Sequence, residues 1–396
     1  MRTIGVIAEY NPFHSGHRHH LAECRRLFGE DCAILCVMSG NFVQRGDAAL
    51  GDKWLRAGLA LEGGADVVLE LPTLWAAAPA EIFSFGGVSL LHAAGVADAL
   101  CFGSEAGELE PLRKVRACLD SPELQDLLRE QLDAGLSFPA ARQRAATAFL
   151  GEAADCLRHP NNSLGIEYLR AIDRLDSPLV PYTTPRLGAA HDDSREGTAL
   201  HASASYLREK VLTGDSFPLS PYLSPETETL LRQDPASLSF CARGVLARLR
   251  SMELEDFSRL PDSGEGLDRR LYAAARSASS LEELYTLAKT KRYPLSRIRR
   301  LVLWAFLGLT EADRPAAPPY LRVLGFSPKG QEVLREMKKK AALPILTKPA
   351  HADRLPPEAR RVFALEARCT ELYDLCRKRF GETPGKNEYT QGPVRI

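Results

Sequence analysis

Four histidines lie within seven positions close to the start of the chain: His14, His17, His19 and His20. If a helix begins near Ser15, His14 and His17 lie three residues apart on one face at its N-terminus. The backbone amides and the positive end of the helix dipole favour a phosphate there. Gly16 leaves space for a base or a ribose to approach the backbone. We interpret the two imidazoles as hydrogen-bond donors to the charge that develops on an α-phosphorus as pyrophosphate leaves.

The same histidines have two other interpretations. Imidazoles three or four residues apart on a helix can bind zinc, but a zinc site needs three or four ligands, and the sequence shows no second cluster of His or Cys. His19 and His20 are expected on other faces of the helix. A purely structural His14–His17 pair is the second alternative. We predict that the protein itself holds no metal ion.

The elements that must position these residues alternate along the N-terminal half. Short apolar runs predict strands over 3–10, 32–40, 65–72 and 97–105, and helix-compatible stretches cover 15–28, 51–63 and 80–94. This order predicts a parallel sheet covered on both faces, with ligands bound at the carboxyl ends of its strands. A helical stretch over 108–158, a strand over 177–186 and a helix over 201–212 follow.

Charge is distributed unevenly along a chain with no net charge. Residues 1–210 hold 20 Lys and Arg against 28 Asp and Glu, a net charge of −8, and residues 211–396 carry +8. A polyanion that binds the C-terminal half explains this asymmetry, and mutual attraction between the halves is the alternative. No apolar run is long enough to span a membrane, and nine cysteines without a CxxC pair fit a reducing cytoplasm. We expect a cytoplasmic protein.

The C-terminal half is predicted to be mostly helical. A Pro- and Ser-rich segment, 213–227, is the predicted linker between a domain over 1–212 and a domain over 228–380. The tail over 381–396 is expected to be loosely ordered. Within "KTKRYPLSRIRR" (289–300) lie six basic residues and no acid, and "REMKKK" (335–340) is a second basic cluster. A solvated helix face is the simplest interpretation of either run.

The quoted residues carry a resemblance to a known family. "NPFHSGH" between a strand and a helix resembles the HxGH signature of nucleotidyltransferases and class I aminoacyl-tRNA synthetases. The longer set of "GVIAEYNPFHSGHRHHL", "VMSGNFVQRGDAAL", "GGADVVLELP" and "FGSE" closely resembles the tRNA(Met) cytidine acetate ligase family. The similarity continues through "HPNNSLGIEYLRAI", "PYTTPR" and "HASASYLR" into the basic region. The resemblance covers most of the chain.

The resemblance implies a fold and a reaction. The fold is α/β: a Rossmann-like HxGH nucleotidyltransferase domain with a parallel sheet, followed by a mainly α-helical basic domain. In that family, ATP and acetate give acetyl-adenylate, and the acetyl group passes to the wobble cytidine of elongator tRNA(Met) without acetyl-CoA. The implied ligands are therefore acetate, tRNA and ATP, with Mg²⁺ carried in by the ATP. No protein partner is evident.

The resemblance also marks site residues, with His14 and His17 as the catalytic pair. The implied ATP-binding segment consists of Ile7, Ala8, Glu9, Tyr10, Asn11, Pro12, Phe13, His14, Ser15, Gly16, His17, Arg18, His19 and His20. The further implied nucleotide contacts are Gly103, Asn161 and Arg186. A helix N-cap is the alternative role for Asn161, and a surface ion pair is the alternative for Arg186.

The basic segment supplies the predicted RNA contacts. These are Lys291, Arg292, Tyr293, Arg297, Arg299 and Arg300, the cations contacting phosphates and the tyrosine stacking on a base. Gln44, Arg45 and Asp47 are candidates for the acetate or acceptor pocket, and Lys53 and Arg56 are expected on a solvated helix face. Ser203, Ser205 and Arg208 are candidates for the outer phosphates, although no lysine lies between the serines as it does in the synthetases' KMSKS loop.

Two other functions remain open at this point. A cofactor adenylyltransferase that moves AMP onto a mononucleotide would use the same histidine pair, but it does not need a large basic C-terminal half. A catalytically inactive RNA-binding protein would use the basic half, but it does not need an intact His-x-Gly-His.

Overall fold

The computed structural model describes residues 1–186, 202–382 and 388–396. Its strands are β1 (Thr3–Ala8), β2 (Ala33–Ser39), β3 (Phe42–Val43), β4 (Asp47–Ala48), β5 (Val67–Leu71), β6 (Ala99–Ser104), β7 (Val180–Pro185), β8 (Leu321–Phe326), β9 (Ile345–Leu346) and β10 (Val394–Arg395). One sheet contains eight of them in the order β10-β8-β5-β2-β1-β6-β7, with β9 paired to β8, and β3 and β4 form a separate hairpin.

Helices cover both faces of this sheet and form most of the C-terminal half. In the first half they are α1 (Ser15–Phe28), α2 (Lys53–Glu62), α3 (Thr73–Ala76), α4 (Ala80–Ala94), α5 (Leu109–Leu119), α6 (Pro122–Asp133), α7 (Phe138–Leu150), α8 (Pro160–Arg174) and α9 (Ala204–Leu212). The later ones are α10 (Pro225–Gln233), α11 (Ala242–Arg250), α12 (Leu254–Ser258), α13 (Leu267–Ser277), α14 (Leu281–Ala288), α15 (Leu295–Leu307), α16 (Pro328–Lys340) and α17 (Pro357–Asp374). In the described part of the chain, no helix is both long and apolar enough to cross a membrane.

The predicted α/β architecture of the N-terminal half is confirmed. The strands β5, β2, β1, β6 and β7 run parallel, and β1 pairs with β2 in register from Thr3–Ala33 to Ala8–Met38. Apart from Ala8, which is partly exposed, the residues of β1, β2 and β5 are buried, which explains their continuous apolar runs. Helix α1 has the predicted bounds, and α9 begins at Ala204. The helix predicted over 201–212 thus starts three residues later than predicted and ends at the predicted residue. Position 201 lies outside the described residues.

The C-terminal half is not only helical, because it returns to the sheet. β8 pairs antiparallel with β5, and β10 pairs parallel with β8. The expectation of a loose tail is therefore wrong for residues 388–396, which add a strand and place Glu388 in the interior at 1% exposure. Positions 383–387 of that tail lie outside the described residues. The division into 1–212 and 228–380 stays a prediction, and the linker segment between them buries Leu219, Tyr222 and Leu223.

A buried ion cluster joins the tail to the first half of the chain. Lys53 Nζ lies 2.6 Å from Glu70 Oε1 and 2.5 Å from Glu388 Oε2, and Arg322 Nε lies 3.2 Å from Glu388 Oε1. Burial opposes the charge on Lys53, but Glu388 and Glu70 outweigh it and raise its pKa. Burial and the charge of Glu70 raise the pKa of neighbouring Glu366 to about 8. At neutral pH Glu366 is therefore mostly protonated and adds little negative charge to the cluster. Burial raises the pKa of Glu70 as well, and the charge of Lys53 opposes that rise.

The solvated face expected for Lys53 and Arg56 is wrong. Lys53 is fully buried, and Arg56 is 1% exposed. Arg56 donates to the backbone carbonyls of Glu9, Ser39 and Gly40, which lie at or just past the carboxyl ends of β1 and β2. An arginine with several donors in a fixed fork suits three converging carbonyls, and it fixes the loops that follow these strands.

Replacing Lys53 with Met tests the ion cluster. The change removes the cation that pairs with buried Glu70 and leaves Glu388 paired with Arg322, so we expect a loss of roughly 3–5 kcal/mol in the free energy of unfolding. Urea unfolding followed by circular dichroism measures it. The control is Lys114→Met, since Lys114 is 61% exposed beside Glu110, and a change below about 0.5 kcal/mol is expected there. Similar losses in both variants would contradict the account.

Candidate active site

An aromatic cluster positions the loop that enters α1. The Asn11–Pro12 peptide is cis, and Tyr10 adopts a left-handed backbone with φ 49°. The Tyr10 ring is buried and lies edge-on to Phe13, with centroids 5.0 Å apart, and to His17 at 4.9 Å. Packing on the ring holds Tyr10 in a conformation that non-glycine residues rarely adopt. The loop is therefore fixed before any ligand binds.

His14 and His17 form a reciprocal cap on the N-terminus of α1. His14 is the N-cap residue, and its Nδ1 accepts from the amide of Gly16 at 3.1 Å. His17 Nδ1 accepts from the amide of His14 at 3.3 Å. The two rings stack, with centroids 3.9 Å apart and planes tilted by 35°. This arrangement is a capping box built from two histidines in place of the usual Ser or Thr with Glu.

The cap determines which nitrogen carries the proton. An Nδ1 that accepts a backbone N–H carries no hydrogen, so each neutral imidazole is protonated at Nε2. Burial lowers the pKa of His17 well below its ordinary value, and the charges of His14 and Arg186 lower it further. At neutral pH His17 is therefore an uncharged ring with an Nε2–H donor. A neutral donor of this kind can stabilise developing negative charge.

The structure corrects two details of the phosphate interpretation. The first amides of α1 are already engaged, since Ser15 N donates to the carbonyl of Tyr222 at 2.9 Å and Gly16 N donates to His14. The space beside Gly16 is filled by the imidazole of His14, because a Cβ at Gly16 would lie 2.9 Å from His14 Cε1. Gly16 serves the cap rather than a base or ribose. At this helix end, the imidazoles rather than the backbone amides are therefore the groups that can contact a phosphate.

Gly103, Asn161 and Arg186 come together beside the carboxyl ends of β6 and β7. Arg186 Nη1 donates to Asn161 Oδ1 at 2.7 Å, and a Cβ at Gly103 would lie 3.1 Å from Arg186 Cγ. Asn161 is not the N-cap of α8, which is His159. Glu105 occupies that helix end instead, accepting from Asn161 Nδ2 at 2.6 Å and from the amide of Asn162 at 2.8 Å. Glu105 was missed, although it follows Gly103 in the quoted "FGSE".

Helix α9 closes the other side of the entry loop. Arg208 Nη1 donates to the carbonyl of Asn11 at 2.6 Å, and Nη2 donates to Ser205 Oγ at 2.9 Å. Ser203 caps α9 by accepting from the amide of Tyr206. The predicted phosphate contacts Ser203 and Ser205 therefore have structural partners, while Arg208 brings a positive charge to the histidine loop.

The hairpin of β3 and β4 brings the basic segment to the same edge of the sheet. Glu9 accepts from the amide of Gln44 at 2.7 Å. Gly46 fits tightly against the backbone of Arg299, where a Cβ would come within 2.5 Å. Burial raises the pKa of Asp47, and the positive charges of Arg299 and Arg208 oppose that rise. The N-terminal end of α15 thus lies beside the histidine loop.

The predicted RNA-binding residues divide into two groups. Arg292 and Arg297 pair with Glu265, and Arg297 also pairs with Asp262. Tyr293 is 8% exposed and its hydroxyl donates to the carbonyl of Glu265, so it packs in the interior and does not offer a face for base stacking. Tyr293 is therefore removed from the predicted set. The segment contains no acid, but folding brings two acids to it.

The other group remains accessible. Lys291 is exposed, and Arg299 and Arg300 are partly exposed. The Arg299 guanidinium lies 5.3 Å from the centre of the Tyr285 ring, an arrangement that leaves its donors for another partner. Burial lowers the pKa of Arg300 to about 10, which still leaves it charged at neutral pH. Arg299 borders the hairpin that Glu9 joins to the histidine loop, whereas Arg300 lies near Asp262, whose charge opposes the lowering of its pKa.

The second basic cluster lies at the opposite end of the sheet. A Cβ at Gly95 would lie 2.6 Å from the carbonyl oxygen of Lys340, and Ala342 N donates to the carbonyl of Ala93. The loop that contains Gly95 leads into the amino end of β6. Residues 335–340 therefore lie far along the strands from the histidine pair.

One cluster that the sequence analysis did not find contains His20. Its Nε2 lies 3.8 Å from Cys101 Sγ on β6, and Cys24 lies one helical turn further along α1. A hydrogen bond from Cys24 is the main cause that lowers the pKa of Cys101 to about 5. The only sequence signal was the four-residue spacing of His20 and Cys24, since Cys101 is 81 positions away from His20.

The comparisons with known proteins agree with this geometry. The chain matches the family described as HIGH Nucleotidyl Transferase over residues 1–388. It is 36% identical to the tRNA(Met) cytidine acetate ligase of Acetivibrio thermocellus over the full length of both chains. It is 38% identical to the protein of the same name from Caldanaerobacter subterraneus, over 96% of each.

Solved structures give the same result. Apo Thermotoga maritima TmcAL superimposes with a TM-score of 0.94 at 32% identity, and the form bound with alpha-thio ATP superimposes with 0.91 at 31%, each over 100% of both chains. The parallel sheet and the histidine cap at its carboxyl edge define a nucleotidyltransferase of the HIGH class. Within that class, the chain belongs to the tRNA(Met) cytidine acetate ligase family.

Replacing Gly16 with Ala tests the histidine cap. The added methyl group would displace the His14 ring and break its bond to the Gly16 amide, so we expect a loss of about 1 kcal/mol in the free energy of unfolding. Gly244 in the first turn of α11 has open space around it, and Gly244→Ala should instead stabilise the protein by about 0.5–1 kcal/mol. Urea unfolding measures both. Stabilisation by Gly16→Ala would contradict the role of the glycine.

Proposed function

We propose that this protein activates acetate with ATP and transfers the acetyl group to the wobble cytidine of elongator tRNA(Met), giving N(4)-acetylcytidine. The observation that carries the proposal is the pair of stacked imidazoles, fixed by backbone amides so that both present Nε2–H donors. The names of the full-length relatives supply the reaction, and the thio-ATP complex of the Thermotoga protein supports the nucleotide.

The first step is adenylation of acetate. A carboxylate oxygen of acetate attacks the α-phosphorus of ATP, and the bond from that phosphorus to the bridging oxygen breaks as pyrophosphate leaves. His14 and His17 donate from Nε2 to the oxygens on which charge develops, and neither residue needs to gain or lose a proton. ATP is used as its Mg²⁺ complex, so the ion comes with the substrate.

The remaining nucleotide contacts surround this pair. The segment Ile7–His20 forms one wall of the ATP site, and Gly103, Asn161 and Arg186 form another. Support comes from the Arg186–Asn161 hydrogen bond and from the effect of Arg186 on the pKa of His17, which places its charge near the pair. Arg186 and Arg208 are cations available to the triphosphate. They take the place of the lysine that the synthetases' KMSKS loop would supply.

In the second step the exocyclic amine of the cytidine attacks the acetyl carbonyl. AMP leaves as the new amide forms, and the amine gives up one proton to the solvent. The tRNA must reach the carboxyl edge of the sheet, and the N-terminal end of α15 lies there. We assign Lys291, Arg299 and Arg300 to phosphate contacts, while Arg292 and Arg297 mainly hold the fold through Glu265. A tRNA substrate makes the cytoplasm the proposed location.

A reconstituted reaction tests the function. Purified protein, labelled acetate, ATP and total tRNA are incubated without CoA, and the tRNA is digested to nucleosides. Label in N(4)-acetylcytidine supports the proposal. Transfer of AMP to nicotinamide mononucleotide would instead establish a cofactor adenylyltransferase, and tRNA binding without either product would leave an RNA-binding protein.

His17→Ala tests the adenylation step. Removing one donor from a developing charge typically costs two to three orders of magnitude, so we expect acetate-dependent pyrophosphate exchange to fall by about 10²–10³-fold. We expect tRNA binding to change little and the free energy of unfolding to fall by about 1 kcal/mol, because the cap on α1 loses one acceptor; a thermal melt checks that the variant is folded at the assay temperature. His92 on α4 bonds to Ser177 on the surface, and His92→Ala should retain full exchange. An unimpaired His17→Ala variant would exclude the proposed role.

Arg299→Gln tests the RNA surface. Loss of one phosphate contact should flatten the dependence of log affinity for tRNA on log salt by about 0.7–0.9, because fewer counterions are released. Filter binding at several salt concentrations measures the slope. The matched variant is Arg297→Gln, whose ion pairs with Asp262 and Glu265 predict lower stability and an unchanged slope. An unchanged slope for Arg299→Gln together with a flatter slope for Arg297→Gln would contradict the assignment of Arg299 to RNA contact and of Arg297 to the fold.

A further inference from the structure

In place of the sequence-based prediction that the protein holds no metal ion, we propose that His20, Cys24 and Cys101 form a binding site for one zinc ion, next to the ATP site whose proposed wall ends at His20. Their three ligand atoms all lie within 4.8 Å of one another. Ligands 2.0–2.3 Å from a common tetrahedral centre lie about 3.3–3.8 Å apart. The 3.8 Å between His20 Nε2 and Cys101 Sγ already has this spacing. Small side-chain rotations therefore bring the three atoms onto one ion.

The types of ligand select the metal. Two thiolates and an imidazole suit soft or borderline ions such as Zn²⁺, whereas Mg²⁺ prefers oxygen ligands. The site therefore does not compete with the magnesium that ATP carries. Three protein ligands leave a fourth position for water, and His20 is the partly exposed member through which solvent reaches the site.

Burial is compatible with a zinc ion of this kind. Cys24 and Cys101 are fully buried among apolar residues that include Ile4 and Val6. An unpaired charge would be costly there, but Zn²⁺ with two thiolates has no net charge. The helix spacing is also suitable, since residues four apart on α1 present their side chains on one face.

The position of the site indicates what the ion does. His20 follows His17 by three residues on α1, and Cys101 precedes Gly103 by two residues on β6. A shared ion would fix α1 against β6, the two elements that carry opposite walls of the proposed ATP site. The proposed effect of the ion is on position: it connects α1 to β6 and uses neither His14 nor His17 as a ligand. The inference does not depend on which reaction the protein catalyses.

Metal titration of the full-length protein tests the proposal. Protein stripped by a chelator under reducing conditions is titrated with Zn²⁺ against a chromophoric chelator, and with Co²⁺ to observe thiolate-to-metal charge transfer. We expect one equivalent of Zn²⁺ to bind and to raise the thermal transition. Cys101→Ser, Cys24→Ala and His20→Gln should each weaken binding by more than about 100-fold, beyond the 10–100-fold that outer-sphere partners cost.

Cys32→Ser is the control, since Cys32 is buried in the same apolar cluster but is not one of the three ligands. It should bind one equivalent of Zn²⁺ like the unchanged protein. Circular dichroism without metal shows which variants are folded, and His20→Gln provides a test at the least buried position if a cysteine variant unfolds. The proposal would be overturned if the wild-type protein bound no zinc. It would also be overturned if the three ligand variants bound zinc as tightly as the wild-type protein. A Cys24–Cys101 disulfide in place of zinc binding would overturn it as well.

Discussion

The candidate site depends on the way in which two imidazoles terminate one helix. Each Nδ1 of His14 and His17 accepts a backbone amide, so the cap that stabilises α1 also fixes the tautomer and direction of both rings. The fold and the chemistry therefore use opposite nitrogens of the same side chains. Gly16 is required because a side chain there would occupy the volume of the His14 ring. The spacing His-x-Gly-His follows from these contacts.

A second level of organisation holds the rest of the molecule around this helix end. Arg56 fixes the loops after β1 and β2 through three carbonyls, and Lys53 connects β5 to the C-terminal tail through Glu70 and Glu388. The C-terminal half therefore does not lie beside the sheet as a separate body. It contributes strands to the sheet and places the start of α15 at the carboxyl edge, where the proposed RNA surface meets the histidine loop.

Much of the first half was predictable because each signal is local. Continuous apolar runs gave the parallel strands, and helix α1 has the predicted bounds. The buried roles of Lys53 and Arg56 were not predictable, since their partners come from distant strands and from the tail. The structural roles of Tyr293, Arg292 and Arg297 were not predictable for the same reason. Their partner Glu265 precedes them by some 30 positions, and it accepts through its backbone carbonyl from Tyr293 and through its carboxylate from the two arginines. Glu105 was within a quoted motif, but its role depends on the position of α8.

The zinc site shows the same limit of local reasoning. His20 and Cys24 are visible in the sequence as a four-residue spacing, but the third ligand is on β6 and reaches α1 only through the order of the sheet. The proposed ATP site is assembled in this way too, from a loop after β1 and from residues beside β6 and β7. Topology rather than spacing brings its two walls together.

The central claim is that His17 is a neutral imidazole with its proton on Nε2. Nitrogen–proton correlation NMR on ¹⁵N-histidine-labelled protein, assigned with a His17→Gln variant, measures this directly. We predict an unprotonated Nδ1, a protonated Nε2 and no titration near the ordinary pKa of about 6.5, because burial and nearby positive charge lower the pKa. Addition of Mg²⁺–ATP should shift the Nε2 resonance more than that of Nδ1. A proton on Nδ1, or a titration close to 6.5, would contradict the account.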